Sequence, residues 1–370
     1  MAGVTLDHVS KRYHTLTADG RPVTGLDDVS LHIADGEAVS VVGPSGCGKS
    51  TLLKVIAGLE MPDAGRVLFN DVDVTRWPAQ ARGVGMVFQD YALYPAREGE
   101  DNLSYYFEVR KRTEEEKVRR VREVATLMGI GFDLLLERQV DTLSGGEKQR
   151  VGIARCIVRD PNVFLMDEPI SNLDAKLRER TRIEIKRLIK AFGITTVYVT
   201  HDQQEAVFMG DRIAVMRAGR IEQFGAFDDL YFSPANLFVA TLIGTPPMSV
   251  LPAVRRAETL ELAGASLPLP PDLAAELPAG PLRLGVRPEG WLLDPPGAAL
   301  TLPIRHVERI YTERAAYAAG DLAGSPVHVL VPLDLPAQAA LRIAPDWERS
   351  FFFAAEGEAA LRVPGPPDLF

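Results

Sequence analysis

The sequence predicts an α/β domain with a mostly parallel sheet, followed by a smaller all-β domain. In the first two-thirds of the chain, short apolar runs typical of buried strands alternate with long helical patterns. Proline is concentrated at the other end, where 19 of the 27 prolines follow residue 245. The chain has 370 residues, which is more than one hydrophobic core usually supports. Two domains, 1–244 and 245–370, are therefore expected.

Three β-rich runs bounded by turn or polar residues predict strands in the first domain. These runs are Ala38–Val42, 163–166 and 195–200. A helix is predicted to follow Thr113, which forms a capping-box pattern with Glu116. A second helix is predicted over 174–192, with one apolar stripe and Gly193 as its C-cap.

The sequence pattern changes after residue 247. Short alternating runs, such as 282–286 and 327–331, are separated by turns rich in proline and glycine. This pattern predicts a small all-β domain, barrel-like or sandwich-like. The runs 267–271 and 294–297 are predicted to be loops.

Charge and composition argue against several functional classes. The net charge of −9 argues against a nucleic-acid partner, which would require a basic excess. No apolar run approaches the roughly 20 residues that span a bilayer, and residues 1–10 lack a secretory-signal pattern. The two cysteines, Cys47 and Cys156, predict neither a disulfide framework nor a metal site. They are expected to be unreactive thiols in a cytoplasmic protein.

The first chemical motif is a glycine-rich loop at 43–51, which reads GPSGCGKST between a predicted strand and a helical run. This P-loop context lets backbone N–H groups surround phosphate oxygens at the positive end of a helix. Lys49 is expected to reach the β- and γ-phosphates of ATP, and the Ser50 hydroxyl to coordinate Mg²⁺. The residues expected to bind ATP here are Gly43, Pro44, Ser45, Gly46, Cys47, Gly48, Lys49, Ser50 and Thr51.

The second motif is an apolar run, 163–166, that ends in Asp167 and Glu168. A core strand of this kind delivers carboxylates to the carboxyl edge of the sheet, where α/β proteins bind ligands. Asp167 is expected to hold Mg²⁺, directly or through water, and Glu168 to polarise the attacking water as a general base. A strand ending in two acids is common by itself, but together with the P-loop it indicates nucleotide hydrolysis.

The third motif, LSGGEKQR at 143–150, begins a predicted helix. Ser144, Gly145 and Gly146 at a helix N-terminus predict a second anion site. One ATP can hardly occupy two such sites in one chain, so two chains are expected to pair. The run resembles the signature sequence of ABC ATPases, which in that family faces the P-loop of the opposing subunit. The resemblance implies a RecA-like core with a helical subdomain, and a head-to-tail homodimer in which these residues bind ATP in trans.

Four further residues match elements of the same family in the expected order. Gln89 resembles the Q-loop glutamine that touches Mg²⁺ and the lytic water, and Asp174 resembles part of the D-loop at the dimer interface. His201 resembles the switch histidine that contacts the γ-phosphate. Tyr13 resembles the aromatic that stacks on adenine, with His14 as the adjacent candidate. Singly, His201 has a simpler interpretation as a satisfied buried histidine, and Tyr13 as a surface aromatic.

Four longer runs resemble the carbohydrate-importer subgroup, typified by the maltose and glycerol-phosphate ATPases. They lie at 88–95, 172–178, 244–248 and 285–289. The resemblance implies a subunit at the cytoplasmic face of the cell membrane. It also implies two transmembrane permease subunits, an extracytoplasmic solute-binding protein and a C-terminal OB-like domain of the TOBE type.

The sequence departs from the subgroup at two places. Residues 96–101 read AREGED, where relatives usually have a His-Met-Thr-Val-like stretch beside the groove for the permease's coupling helix. Glu147 stands where many members have glutamine. Three alternatives stay open: an importer of an inorganic anion or polyamine, a non-transport ABC ATPase in translation or DNA repair, and a regulatory module that binds ATP with little turnover.

Overall fold

The computed structural model describes residues 2–16, 22–129, 131–312 and 314–364. The chain divides into two compact units, Met1–Phe224 and Gly225–Phe370. The first is α/β and the second is mainly β, which confirms the predicted fold classes. The boundary between the two units, 224/225, lies before two short helices, whereas the boundary expected from proline content, 244/245, lies after them.

The first unit alternates strands and helices along the chain. Its strands are β1 (Val4–Leu16), β2 (Pro22–Ile33), β3 (Ala38–Val42), β4 (Ala64–Phe69), β5 (Val72–Asp73), β6 (Val84–Val87), β7 (Val163–Asp167), β8 (Thr195–Val199), β9 (Arg212–Arg217) and β10 (Arg220–Gly225). Its helices are α1 (Lys49–Ala57), α2 (Gly99–Val109), α3 (Glu114–Met128), α4 (Asp133–Leu136), α5 (Gly145–Ile157), α6 (Ala175–Phe192) and α7 (Gln203–Met209).

A six-stranded sheet in the order β10-β9-β3-β8-β7-β6 forms the centre of this unit. The pairs β3/β9, β3/β8, β8/β7 and β7/β6 are parallel. An antiparallel sheet, β2-β1-β4-β5, accompanies it. The prediction for Ala38–Val42 is confirmed, the run 163–166 extends to Asp167, and the run 195–200 ends as a strand at Val199.

Alternate side chains of β7 enter two different cores. Val163 and Leu165 pack with residues of α1, whereas Phe164 and Met166 pack with residues of α3, α5 and α6. A strand covered on both faces has no polar alternation, which is why its sequence is an uninterrupted apolar run. Full burial of such side chains contributes about 1.5–3 kcal/mol each.

The predicted helix ends are confirmed. The Thr113 hydroxyl accepts a hydrogen bond from the Glu116 backbone N–H, 3.2 Å away, at the start of α3. Asp174 caps α6 by accepting from the backbone N–H of Leu177 at 3.0 Å. Gly193 ends α6 with a φ of 59°, a conformation that glycine adopts without steric cost.

A buried arginine closes the far end of α1. Arg82 is 1% exposed, and its guanidinium donates to the carbonyls of Val55 and Ile56 at 2.8 and 2.9 Å. It also donates to the carbonyls of Thr75 and Trp77. The last carbonyls of a helix have no partner within the helix, and here the Arg82 bonds satisfy them together with the Gly58 N–H, which also donates to Val55.

The second unit begins with α8 (Phe227–Phe232) and α9 (Leu237–Leu242), and α10 (Pro271–Glu276) lies later in it. Its strands are β11 (Ser249–Arg256), β12 (Thr259–Leu262), β13 (Ala265–Pro268), β14 (Gly280–Val286), β15 (Trp291–Leu293), β16 (Leu300–Ile310), β17 (Ala315–Leu322), β18 (Ser325–Val331), β19 (Ala340–Pro345), β20 (Ser350–Ala354) and β21 (Ala360–Arg362). They form two sheets, β13-β12-β11-β14-β20-β21 and β15-β19-β16-β17-β18. The loop prediction for 267–271 is wrong, because β13 continues to Pro268.

Arg287 organises the start of the second unit. It is 2% exposed and donates to the carbonyls of Tyr231 and Ile243, each at 2.7 Å. Its guanidinium lies 3.6 Å from the centre of the Tyr231 ring, and the Tyr231 hydroxyl donates to Glu289 at 2.8 Å. Burial lowers the pKa of Arg287 to about 10. These contacts give a structural role to the run at 285–289.

Across the described ranges, helices long and apolar enough to cross a membrane are absent.

Replacing Arg82 with methionine is expected to lower the free energy of unfolding by about 3 kcal/mol or more, because four carbonyls, two of them buried at the end of α1, lose a donor. Urea denaturation of the full chain measures the change. The matched control is Arg119→Met on α3, whose side chain is 67% exposed and which should leave the urea midpoint nearly unchanged. Equal midpoints for the two variants would contradict the role of Arg82.

Candidate nucleotide-binding and hydrolysis site

The loop between β3 and α1 has a backbone that only glycine fits. Gly43 and Gly48 have φ values of 158° and 114°. A Cβ at Gly43 would lie 2.1 Å from the Met216 carbonyl oxygen, and one at Gly48 would lie 2.2 Å from that of Gly25. The loop residues predicted from sequence, 43–51, therefore form one tight turn that leads into the first turn of α1. The unpaired N–H groups of that turn form an anion-binding cradle.

Lys49 lies across this cradle. Its side chain is enclosed, with the residue 6% exposed, and its ammonium donates to the carbonyls of Gly43 at 2.8 Å and Pro44 at 3.1 Å. The carbonyl contacts hold the positive charge at the loop itself. An arriving phosphate would thus meet the ammonium and the helix N-terminus together, as ATP binding requires.

Ser50 and Asp167 approach each other from α1 and from the end of β7. The Ser50 hydroxyl donates to Asp167 Oδ1 at 3.1 Å. Burial raises the pKa of Asp167, and the hydrogen bond from Ser50 opposes that effect. A hydroxyl and a carboxylate beside a phosphate cradle are the oxygen ligands that Mg²⁺ takes in nucleotide sites. These two residues fit the predicted metal position.

Glu168 faces away from Asp167, toward His201. Its Oε2 lies 3.1 Å from His201 Nδ1, and the Glu168 backbone N–H donates to the Val199 carbonyl at 3.0 Å. Glu168 has a φ of 46°, in the left-handed region that non-glycine residues rarely occupy. The turned backbone separates two adjacent carboxylates, so that one faces the Ser50 hydroxyl and the other faces an imidazole.

Gln89 follows β6 and belongs to the same edge of the sheet. Its Nε2 lies 3.5 Å from the Ser171 hydroxyl, and its backbone carbonyl accepts from Asn172 Nδ2 at 3.2 Å. Ser171 in turn donates to the Glu168 carbonyl at 2.9 Å. Gln89 is therefore linked to the segment after Glu168, and its amide oxygen could serve as a further ligand for a cation beside Asp167.

Tyr13 reaches the start of α1 from β1. Its hydroxyl lies 3.3 Å from the Thr51 hydroxyl, and a Cβ at Gly25 would approach its ring to 2.8 Å. The ring is half-buried, whereas the adjacent candidate His14 is exposed. Of the two residues, Tyr13 is the one that the fold brings to the phosphate loop.

The signature residues begin α5, and Asp174 begins α6. Ser144 caps α5 and forms a reciprocal capping box, in which its backbone N–H donates to Glu147 Oε2 at 2.7 Å. Gly146 lies against Leu177, which a Cβ would approach to 3.0 Å. In the described part of the chain, no hydrogen bond or ion pair joins residues 144–146 or Asp174 to residues 43–51. The N–H groups at the start of α5 could thus hold a second anion, apart from residues 43–51.

Glu147 replaces a neutral residue of the family pattern, and its charge is matched. The Nη1 atom of Arg138 lies 3.0 Å from Oε1 of Glu147, so the two residues form an ion pair. The backbone hydrogen bond from Ser144 lowers the pKa of Glu147, and Arg138 acts in the same direction. The carboxylate therefore stays ionised, and its charge is offset by Arg138 at the start of α5.

The sequence prediction lacks the contacts of two residues near the site. Glu205 is buried behind His201 and contacts the hydroxyls of Tyr198 and Thr200. The pattern Asp202-x-x-Glu205 predicts the helix start that Asp202 caps, but it does not predict that Glu205 contacts these hydroxyls. Ser171 is the second, because its link between Gln89 and Glu168 depends on the fold.

Comparison with known proteins gives one family. The family model described as "ABC transporter" matches residues 26–171. The sn-glycerol-3-phosphate import ATP-binding protein UgpC of Chromohalobacter salexigens is 44% identical over 340 residues, which cover 90% of this chain and 88% of that protein. The trehalose/maltose import ATP-binding protein MalK of Thermococcus litoralis is 49% identical over 260 residues, covering 69% and 68% of the two chains.

Among solved structures, a dimeric post-hydrolysis state of the ATP-binding cassette MJ0796, bound to ADP and phosphate, is similar with a TM-score of 0.53. It is 31% identical in sequence, and the match covers 60% of this chain and 98% of that one. The phosphate cradle, the paired carboxylates at the end of β7 and the second anion site at α5 agree with these relationships. The chain belongs to the ATP-binding subunits of the ABC transporter family, and it is an ATPase.

Proposed function

We propose that this ATPase drives the import of a small polar solute, of the carbohydrate or glycerol-phosphate class, as one half of a homodimer. The observation that supports the hydrolytic part best is the divergence of Asp167 and Glu168, with 3.1 Å from Asp167 to Ser50 and 3.1 Å from Glu168 to His201. One carboxylate is thereby available for a cation and the other for a proton.

In the proposed reaction, the loop 43–48 and Lys49 bind the β- and γ-phosphates of ATP. Ser50, Asp167 and Gln89 hold Mg²⁺, which neutralises phosphate charge when bound. Glu168 accepts a proton from the attacking water, and His201 orients Glu168 and contacts the γ-phosphate. Tyr13 stacks on the adenine ring. Positioning and charge stabilisation supply most of the rate enhancement in such reactions.

The second nucleotide contact comes from a partner chain. Ser144, Gly145, Gly146 and Asp174 of one subunit are proposed to close on the ATP held by the P-loop of the other. Two identical surfaces that meet in this way form a closed, two-fold symmetric pair with two equivalent sites. The similar cassette MJ0796 is dimeric in its ADP- and phosphate-bound state, which supports this arrangement.

The permease subunits are proposed to dock at a cleft of about 240 Å³ beside Gln89. Leu59, Phe88, Tyr91 and Arg155 are among its lining residues. Leu59 is 51% exposed at this cleft and is therefore available for an apolar contact with a permease. Docking of two permeases here would place the subunit at the cytoplasmic face of the membrane. An extracytoplasmic binding protein would deliver the solute to the permeases.

The solute class is inferred from the relatives, whose printed functions are glycerol-phosphate and trehalose or maltose import. We assign residues 1–244 to the nucleotide-binding domain and 245–370 to a TOBE-type domain that extends the dimer interface. An importer for an inorganic anion or a polyamine is the second candidate. The import functions printed for these relatives favour an importer over a role in translation or DNA repair.

Replacing Glu168 with glutamine is expected to lower the ATP turnover rate by about 100-fold or more, because the amide cannot accept the proton of water. ATP binding should persist, and size-exclusion chromatography with ATP should show a stable dimer. Glu179→Gln, on the exposed part of α6, is the control and should keep both turnover and the monomer–dimer distribution of the parent chain. Undiminished turnover of the Glu168 variant would refute its assignment as general base.

Mixing two inactive variants tests the trans site. Lys49→Ala and Ser144→Arg should each abolish hydrolysis alone. In an equal mixture, half of the dimers contain one chain of each variant, and each of these dimers holds one intact site out of two. The mixture should therefore regain up to about one quarter of the active sites of the parent protein. The measurement is phosphate release at equal total protein. A mixture as inactive as its components would mean that both residues serve the same site in cis.

Affinity capture from gently solubilised native membranes tests the transport role. The tagged chain is expected to recover two polytopic permeases, identified by mass spectrometry. A double replacement in the cleft, Leu59→Asp with Tyr91→Ala, should lose the permeases and keep basal ATP hydrolysis. Recovery of ribosomal or DNA-repair proteins, with permeases absent, would leave the ATPase chemistry intact and overturn the assignment to import.

A further inference from the structure

A buried carboxylate that the proposed mechanism does not use lies directly behind His201. Glu205, in the first turn of α7, is 6% exposed. Burial raises the pKa of this carboxyl, although the hydrogen bonds from Thr200 and Tyr198 oppose the effect. Burying a carboxylate costs free energy unless donors surround it, so its presence here requires a reason other than core packing.

The contacts of Glu205 form a closed ring around the backbone that carries His201. Its two carboxylate oxygens accept hydrogen bonds from the Tyr198 and Thr200 hydroxyls. The Thr200 hydroxyl also accepts from the Asp202 backbone N–H at 3.0 Å. Asp202 Oδ1 accepts in turn from the Glu205 backbone N–H at 3.1 Å. Thr200 is thus bonded directly to the Glu205 carboxylate, and Asp202 is linked to it through the Thr200 hydroxyl and through the Glu205 backbone N–H.

His201 itself is held by little else. Its side chain is 60% exposed, and the hydrogen-bonding contact described for its ring is the one with Glu168, at 3.1 Å. The direction of an exposed imidazole is set mainly by the backbone from which it projects. That backbone is the turn 200–202, which continues from β8 through the bond of the Thr200 N–H to the Val41 carbonyl at 3.2 Å.

We propose that Glu205 is a positioning residue for ATP hydrolysis: through Thr200 and Asp202 it fixes the turn that aims His201 at Glu168 and the γ-phosphate. Tyr198 supports the carboxylate from the core, where it is 1% exposed on β8. The inference rests on the role proposed above for His201. It adds that the orientation of His201 depends on a buried carboxylate that acts through the backbone turn.

The test is a double-mutant cycle on the full chain, with Glu205→Gln, His201→Ala and both together. Single-turnover hydrolysis with enzyme in excess keeps slow rates measurable. Glu205→Gln should lower the hydrolysis rate by about ten-fold or more, with the half-saturating ATP concentration unchanged within about two-fold. In the His201→Ala background the same substitution should change the rate by less than about two-fold, because it acts through the missing imidazole.

Glu37→Gln is the matched control. Glu37 is an enclosed carboxylate that pairs with Arg212, and it precedes β3 at the opposite edge of the same sheet. Its replacement should lower the melting temperature and leave the rate of hydrolysis nearly unchanged. If Glu205→Gln does not fold, Tyr198→Phe, which removes one donor to the carboxylate, enters the same cycle and should show the same dependence on His201.

The outcomes separate the two proposals. If His201→Ala alone leaves the rate unchanged, the role of His201 fails and the inference about Glu205 fails with it. If His201→Ala is impaired but Glu205→Gln lowers the rate equally in both backgrounds, only the inference about Glu205 is overturned. A rate loss in Glu37→Gln as large as that in Glu205→Gln, at equal loss of melting temperature, would also overturn it.

Discussion

The alignment of four neighbouring parallel strands is the constraint on which the site depends. β3, β8, β7 and β6 lie side by side, so their carboxyl ends reach the same edge of the sheet. The P-loop follows β3, His201 follows β8, the two acids end β7, and Gln89 follows β6. Because both faces of these strands are buried, a slip by one residue would exchange the two cores. The packing that fixes the register therefore also fixes the distances between the catalytic side chains.

Much of this could be predicted because each motif directly follows a strand with a recognisable sequence. The uninterrupted apolar run before Asp167 indicates a strand covered on both faces, and the structure shows this in the two cores that β7 enters. The prediction failed for β13, whose last two residues belong to the run 267–271 that was expected to be a loop. β13 is an edge strand that pairs only with β12, so a proline at its end costs the sheet no central hydrogen bond.

Long-range polar contacts could not be predicted. Arg82 donates to carbonyls at the end of α1 and to those of Thr75 and Trp77. Nothing in the local sequence indicates that it is buried. Arg287 is similar in the second unit, where it joins the segments that end at Tyr231 and Ile243. Both arginines act on backbone carbonyls rather than on acids, so charge patterning along the chain gives no sign of them. Their partners are set by tertiary structure alone.

The two departures from the family pattern lie in one hydrogen-bonded network. In the stretch 96–101, the Gly99 N–H donates to the Arg138 carbonyl at 3.0 Å, and the Arg97 carbonyl accepts from the Val140 N–H at 3.1 Å. The Arg138 side chain in turn pairs with Glu147, which holds the backbone of Ser144. Unless these bonds break, the stretch 96–101 therefore cannot move without residues 138–140, which lead into the signature at 144–146. The backbone of the stretch contacts the backbone of residues 138–140, and the Arg138 side chain pairs with Glu147, so the two departures lie at opposite ends of one short chain of bonds.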